Sequence, residues 1–235
     1  MRIIFLNSWQ GKAGVQYFDF IKKQSFLTDI FCLMEVSPQL LNKLSKVLTG
    51  FNFVYETEGI LSKDGLTYGE TIFVKEGIKI IKSGKKVLFR QVKNDIGIYQ
   101  YMTIKINDRI VNVGNIHGKA RPGHKLDTPI RINQSKKIIE MYQDDKNPTI
   151  IGGDFNLLPD TKSIKMFEDA GYRNLIKQFG IKDTRGILNH NQFIKEEIQY
   201  FADYIFVKNG IKVKNFEVPK LEISDHLPLI LDFDF

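Results

Sequence analysis

The sequence predicts an α/β protein built from two packed β-sheets with helices on the outer faces. Three observations carry this. Strand-like and helix-like segments are interleaved along the 235 residues. The middle of the chain, from Phe51 to Gly118, is instead a run of strand-like pieces joined by Gly, Asn and Asp turns. No G-x-G-x-x-G or G-x-x-x-x-G-K follows an early strand, which disfavours a doubly wound nucleotide-binding fold.

The elements follow in order. "RIIFLNSW" opens as a strand. "GVQYFDFIKKQ" is a helix, because Val15, Phe18 and Ile21 recur at helical spacing. "DIFCLMEV" is an unbroken apolar run, the mark of a strand buried on both faces. "SPQLLNKLSKVLTG" is a helix with Pro38 in its first turn and Gly50 past its end. "FNFVYET", "YGETIFVKEG", "KVLFRQV", "GIYQYMTIKI" and "RIVNVGNIHG" read as strands, with a hairpin turning at Asn107-Asp108. "LDTPIRINQSKKIIEMYQDD" is a helix capped by Thr128, with Pro129 at its first position. Ser135, Ile138, Ile139 and Tyr142 form its buried stripe. "PTIIGGDFN" is a strand and "TKSIKMFEDAG" a helix closed by Gly171. "ADYIFV", "KVKNFEV" and "LPLILDFDF" are the closing strands.

No repeat, low-complexity tract or linker divides the chain, so one domain spanning 1–235 is the simplest organisation. The 34 basic and 27 acidic residues leave a formal charge of +7, which favours a polyanionic partner such as nucleic acid. No stretch approaches the roughly 20 apolar residues of a membrane helix. The start lacks the longer apolar core and cleavage site of a signal peptide. The expectation is a cytoplasmic monomer with no membrane insertion. The single Cys32 cannot form an internal disulfide and reads as a small buried hydrophobe.

The apolar strands share a feature at their ends. "PTIIGGDFN" finishes in Asp154 and Asn156, which on a strand would point to one face. Gly152 and Gly153 would let backbone or a ligand approach there. Asn7 ends the first strand, Glu35 the second and His117 "RIVNVGNIHG". Asp203 begins "ADYIFV", and Asp225-His226 precede the last strand in a loop from which both can reach one site. Taken singly, each has a plainer explanation as a turn residue or a structural histidine. Six at matching places argue for a shared site. Glu35, Asp154 and Asp225 gathered together would repel one another, and a hard divalent cation such as magnesium removes that problem. The lack of a Cys cluster or a His-x-x-x-His pair argues against zinc.

The pieces "LNSW", "LMEV", "NIHG", "GGDFN", "DYIFV" and "SDHLP", in that order from Asn7 to Pro228, resemble the endonuclease/exonuclease/phosphatase superfamily. These are metal-dependent phosphoesterases with a pancreatic-deoxyribonuclease-like fold. The resemblance implies a four-layer α/β/β/α sandwich, two mixed β-sheets flanked by helices. It also implies a Mg2+ cofactor, with Mn2+ as a substitute. Glu35 would be the chief metal ligand, with Asn7 and Asp225 close to the metal. Asp154 would orient or deprotonate the attacking water, and Asn156 would hold that water or a phosphate oxygen. His226 would contact the phosphate, paired with Asp203. His117 would be a second phosphate contact or assist the leaving group. Glu70 of "TYGETIFV" resembles a carboxylate that orients this histidine; the alternative is an exposed strand-edge glutamate.

The loop "GKARPGHKLDTPIR" sets Lys119, Arg121, His124, Lys125 and Arg131 beside this site. Arg121 and Lys125 are the candidates for substrate phosphate, Arg121 foremost because its guanidinium grips phosphate bidentately. Trp9 reads as a core residue. The abasic-site endonucleases carry an Asn-x-Tyr-x-Pro-like stretch where this chain has "GNIHG", so the chain looks more like members with a histidine there. Those are nonspecific nucleases, phosphodiesterases, phosphotyrosyl-DNA-removing enzymes and sphingomyelinases. The expectation is a Mg2+-dependent phosphodiester hydrolase, a nuclease acting on DNA or RNA. One alternative is a phosphodiesterase or phosphomonoesterase on a small-molecule or lipid phosphoester. The other is a catalytically silent nucleic-acid-binding module, against which the full residue set argues.

Overall fold

Alternation along the apolar strands divides their side chains between two cores. In β1 (Arg2–Asn7), Ile3 and Phe5 join one core while Ile4 and Leu6 join the other. In β2 (Ile30–Val36), Ile30 and Cys32 lie in the first core, Phe31 and Leu33 in the second. Both faces are buried, so a polar residue has no place until the strand ends. Cys32 is buried and free, as expected, and burial pushes its thiol well above the ordinary range.

The computed structural model describes residues 1–61, 67–90 and 96–235. The remaining strands are β3 (Phe51–Leu61), β4 (Thr67–Lys75), β5 (Lys79–Arg90), β6 (Ile96–Ile106), β7 (Arg109–His117), β8 (Thr149–Asp154), β9 (Arg173–Asn174), β10 (Asp203–Lys208), β11 (Lys212–Glu217) and β12 (Leu229–Asp234). One six-stranded sheet runs β11-β12-β1-β2-β4-β3 and the other β5-β6-β7-β8-β10-β9. The β1–β2 and β7–β8 pairs are parallel and their neighbours antiparallel, so both sheets are mixed. Helices α1 (Val15–Ser25) and α2 (Pro38–Val47) cover the first sheet through Tyr17, Phe20, Ile21, Leu40 and Leu44. Helices α3 (Pro129–Met141) and α4 (Lys162–Asp169) pack on the second through Ile138, Ile164 and Phe167. The expected layering of two mixed sheets between helices is what forms.

Local signals place the ends. Ser37 accepts from Leu40 N and Thr128 from Arg131 N, each ahead of a proline in the first turn. Asn107, at φ 53°, turns the β6–β7 hairpin at the expected dipeptide. Two parts differ from the expectation. β5 begins at Lys79, well before "KVLFRQV"; its lysines point to solvent and mask the strand pattern. The 173–200 stretch, left unassigned above, holds β9, α5 (Leu175–Gln178) and α6 (Ile187–His190), all too short for a periodic pattern.

Gly152 and Gly153 allow the close approach expected of them, one to a ring of the opposite sheet and the other to the backbone of the neighbouring strand. A Cβ on Gly152 would lie 2.9 Å from the Phe5 ring of the opposite sheet. Gly153 has φ 127° and its Cβ would strike Ile116 O. The opposite sheet therefore comes close at Gly152, two residues before Asp154.

Candidate active site

Strand register assembles the site. In the parallel β7–β8 pair His117 is the partner of Asp154; in the antiparallel β8–β10 pair Asp203 is the partner of Asp154. Asn7, at the end of β1, reaches across from the other sheet. Its Nδ2 lies 3.3 Å from Asp154 Oδ2 and 3.2 Å from Glu35 Oε1. The site thus sits where both parallel pairs end, between the two sheets.

Glu35 needs a special backbone to join it. Continued alternation would send Glu35 the same way as Phe31 and Leu33, into the helix layer. Instead the β2–β4 register shifts between Leu33 and Val36, and Glu35 adopts φ 53°. The bulge hands the helix-facing place to Val36 and turns Glu35 to the site, 3.7 Å from His117 Nε2.

His226 stands in the loop before β12. Its Nδ1 is 2.9 and 3.0 Å from the two Asp203 oxygens, and its Nε2 faces Asp154 Oδ2 at 3.6 Å. Thr184 holds this pair in place: its Oγ1 accepts from Ala202 N and Asp203 N, and its carbonyl accepts from Leu227 N. Burial alone would push the His226 pKa down, but the Asp203, Asp154 and Asp225 carboxylates together outweigh it and the value is raised. For Asp154, burial is outweighed by His226, His117 and Lys125, and its carboxyl lies below the usual range. For Asp203, burial wins over the pull of His226 and the carboxyl is raised. Asp225 sits beside this pair, half-buried, next to Ser224, whose hydroxyl donates to Asn7 O.

Asn156 turns at φ 55°, so its backbone N–H reaches Asp154 Oδ1 at 2.8 Å and its amide donates to Gly118 O. Lys125 Nζ donates to Asn156 Oδ1. Glu70 is not an exposed edge residue: it is fully buried and its two oxygens accept from His117 N and Gln100 N.

The basic loop divides its residues between separate tasks. Arg131 is not a surface cation. It is fully buried, and its guanidinium donates to the carbonyls of Lys119, Ala120, Pro122 and Leu126, tying the loop to α3. Lys119 lies over the Phe89 ring and His124 is exposed. Arg121 is exposed and shares a cleft with Lys125. Trp9 is not in the core either. It is half-buried in a 3-10 turn at φ 44°, its backbone N–H donating to Asn7 Oδ1 and its ring under Lys12. The sequence reading missed Arg185, which acts electrostatically on Asp154, Asp203, His226 and Lys125. No periodicity or spacing singles it out.

A family model described as the Endonuclease/Exonuclease/phosphatase family matches residues 13–226. No curated protein matches the chain by sequence. Among solved structures, a mannosyl-6-phosphatase of Bacteroides thetaiotaomicron superposes with TM-score 0.79 at 17% identity, covering 100% of both chains. TDP2 of D. rerio, complexed with single strand DNA product, gives 0.75 at 16%, covering 100% of this chain and 99% of that one. The human Nocturnin catalytic domain gives 0.72 at 20%, covering 100% and 94%.

Proposed function

The chain belongs to the endonuclease/exonuclease/phosphatase family and is a metal-dependent phosphoric ester hydrolase, and from that premise we propose that it is a Mg2+-dependent phosphodiesterase acting on nucleic acid. The observation that carries this is the convergence of Asn7, His117 and His226 on Asp154 Oδ2, at 3.3, 3.9 and 3.6 Å.

Two sets of residues could hold the metal. Asp154, Asp203 and His226 can bring ligand atoms within 4.8 Å of one another. Their side chains are only 3–4% exposed, however, and Asp203 already engages His226. Magnesium keeps several waters and adds substrate oxygens, so it needs an accessible carboxylate. Glu35 answers that need, with its side chain 22% exposed. We assign Glu35 to magnesium, with Asn7 and Asp225 beside it. Bound there, Mg2+ would neutralise charge on the phosphate as a Lewis acid.

The remaining groups divide the chemistry. Asp154, held ionised by its cationic neighbours, orients the attacking water and accepts its proton. Asn156, anchored by Gly118 O and Asp154, positions that water or a phosphate oxygen. His226 keeps Nε2 as its outward nitrogen because Asp203 takes Nδ1, and donates from it to the phosphate. His117 supports the leaving group, with Glu70 behind it. Lys125 and Arg121 meet substrate phosphate at the mouth. The charge of +7 supports a polyanionic substrate. The likeness to a mannosyl-6-phosphatase supports a second reading, a phosphoester of a small molecule.

The test is Mg2+-dependent cleavage of a labelled panel of single- and double-stranded DNA, abasic DNA, RNA, a 5′-phosphotyrosyl oligonucleotide and a sugar phosphate. Asp154→Asn and chelator serve as controls. Nucleic-acid cleavage that both abolish is the expected result. Turnover of the sugar phosphate alone would move the assignment to the second reading, and binding without any turnover to a silent module.

A further inference from the structure

A cleft of about 570 Å³ opens beside the site, between the Lys119–Leu126 loop and the segment from Arg185 to Gln199. Among the described residues lining it, Arg121, Lys125 and Arg185 face one acid, Glu197. Arg185 is the unusual member. It is 9% exposed, its Nε has no hydrogen-bond partner, and its side chain makes no ion pair among the described residues. A buried Nε–H without an acceptor is costly, and an anion in the cleft would relieve it. Lys125 joins the cleft to the reaction centre through Asn156. On the rim, Phe193 leaves 47% of its surface in solvent. A cationic floor for phosphate and a flat apolar ring together describe a nucleotide subsite. The volume suits one such group, since small-ligand sites span roughly 300–1,000 Å³.

We infer that this cleft holds the unpaired nucleotide flanking the scissile phosphate, with Arg185 and Lys125 on its phosphate and Phe193 against its base. The inference rests on the nuclease reading and narrows it to single strands, because a duplex hides the base faces that Phe193 would stack on.

Binding tests this separately from turnover. Fluorescence anisotropy of a short labelled oligothymidylate would be followed against salt, with calcium in place of magnesium and strand integrity checked on a gel. The proteins compared are the unchanged chain, Arg185→Gln and Phe193→Ala. Phe193→Ala should weaken single-strand binding roughly 10-fold, within the range for loss of one stacked base. Arg185→Gln should weaken it comparably and reduce the slope of log affinity against log salt by about 0.7, the signature of one lost single-strand phosphate contact. A blunt duplex should bind all three proteins alike. The inference is overturned if the unchanged chain does not bind the single strand, if both variants bind it as well as the unchanged chain, or if duplex binding drops equally. Should Arg185→Gln not fold, Phe193→Ala, a change to an exposed ring, decides alone. Failure of the chain to cleave any nucleic acid would instead sink the nuclease reading, and the binding comparison would still decide the cleft.

Discussion

Asp154 and Asp203 stand directly opposite each other across the antiparallel β8–β10 pair, and His226 lies against both. Burial pushes both carboxyls up. The neighbouring cations reverse this at Asp154 and fail to at Asp203, so the two titrate apart. Paired acids whose surroundings separate them are how one site obtains distinct proton acceptors and positioners.

In the proposed mechanism Asp203 positions His226, so Asp203→Asn should act through that histidine. The amide keeps the shape but removes the charge that holds the imidazolium. We expect kcat to fall about 100-fold, in the range lost with an acid–base group, while KM stays near its original value. A rise in KM at constant kcat would place Asp203 in substrate binding instead. Steady-state kinetics on the best substrate of the panel distinguish the two.

Glu70→Gln should be more damaging than its size suggests. Both Glu70 oxygens accept backbone N–H groups, and the amide would set an NH2 against one of them. The orphaned donor costs about 1–3 kcal/mol. If Glu70 also orients His117, turnover per folded molecule falls about 10-fold, as for other partners one step behind a reacting group. A lowered melting temperature with unchanged turnover would reduce Glu70 to a structural role.

Lys125 supplies a pH dependence. Its burial lowers the pKa to about 8, against the pull of Asp154. The charged form, to which the proposed mechanism assigns the attraction of substrate phosphate, is present below that value and is lost as pH rises through it. kcat/KM should therefore decline on the alkaline side near pH 8. In Lys125→Arg the guanidinium stays charged, so that limb should move to higher pH. An alkaline limb that stays in place in Lys125→Arg would assign it to another group.

Gly152→Ala tests the closure of the two sheets. The new methyl would lie 2.9 Å from Phe5 ring atoms held between the sheets. Overpacking of this kind costs about 1–3 kcal/mol. For a chain of this size, each kcal/mol shifts the melting temperature by about 2–4 °C. Calorimetry that finds no shift would mean that the sheets can part there without penalty.

Much of this was legible in the residues, and for a local reason. The apolar runs of β1, β8 and β10 carry no charged side chain in their interiors, so Asn7, Asp154 and Asp203 stand out at their ends, whereas His117 closes a strand that also buries Asn112 and Asn115. The cap at Thr128 and the prolines at Pro38 and Pro129 are likewise set by neighbours a few positions away. Glu35 was legible as a residue but not as a direction, since alternation points it into the helix layer and only the bulge against β4 turns it back. Arg131, Trp9 and Arg185 depended on which distant backbone packs over them. Charge favours the surface for an arginine, yet four carbonyls converge on Arg131. Ring size favours the core for a tryptophan, yet the 3-10 turn holds Trp9 at the rim. The sequence by itself determined the strands other than the start of β5 and the short β9, the polar ends, and the family to which they belong, because those depend on period and on what a buried strand can carry. Only the tertiary structure decided that Asp154 faces Asp203 across one register, that His226 lies between them, and that Arg185 lines a cleft, because pairing and loop placement join residues far apart in the chain.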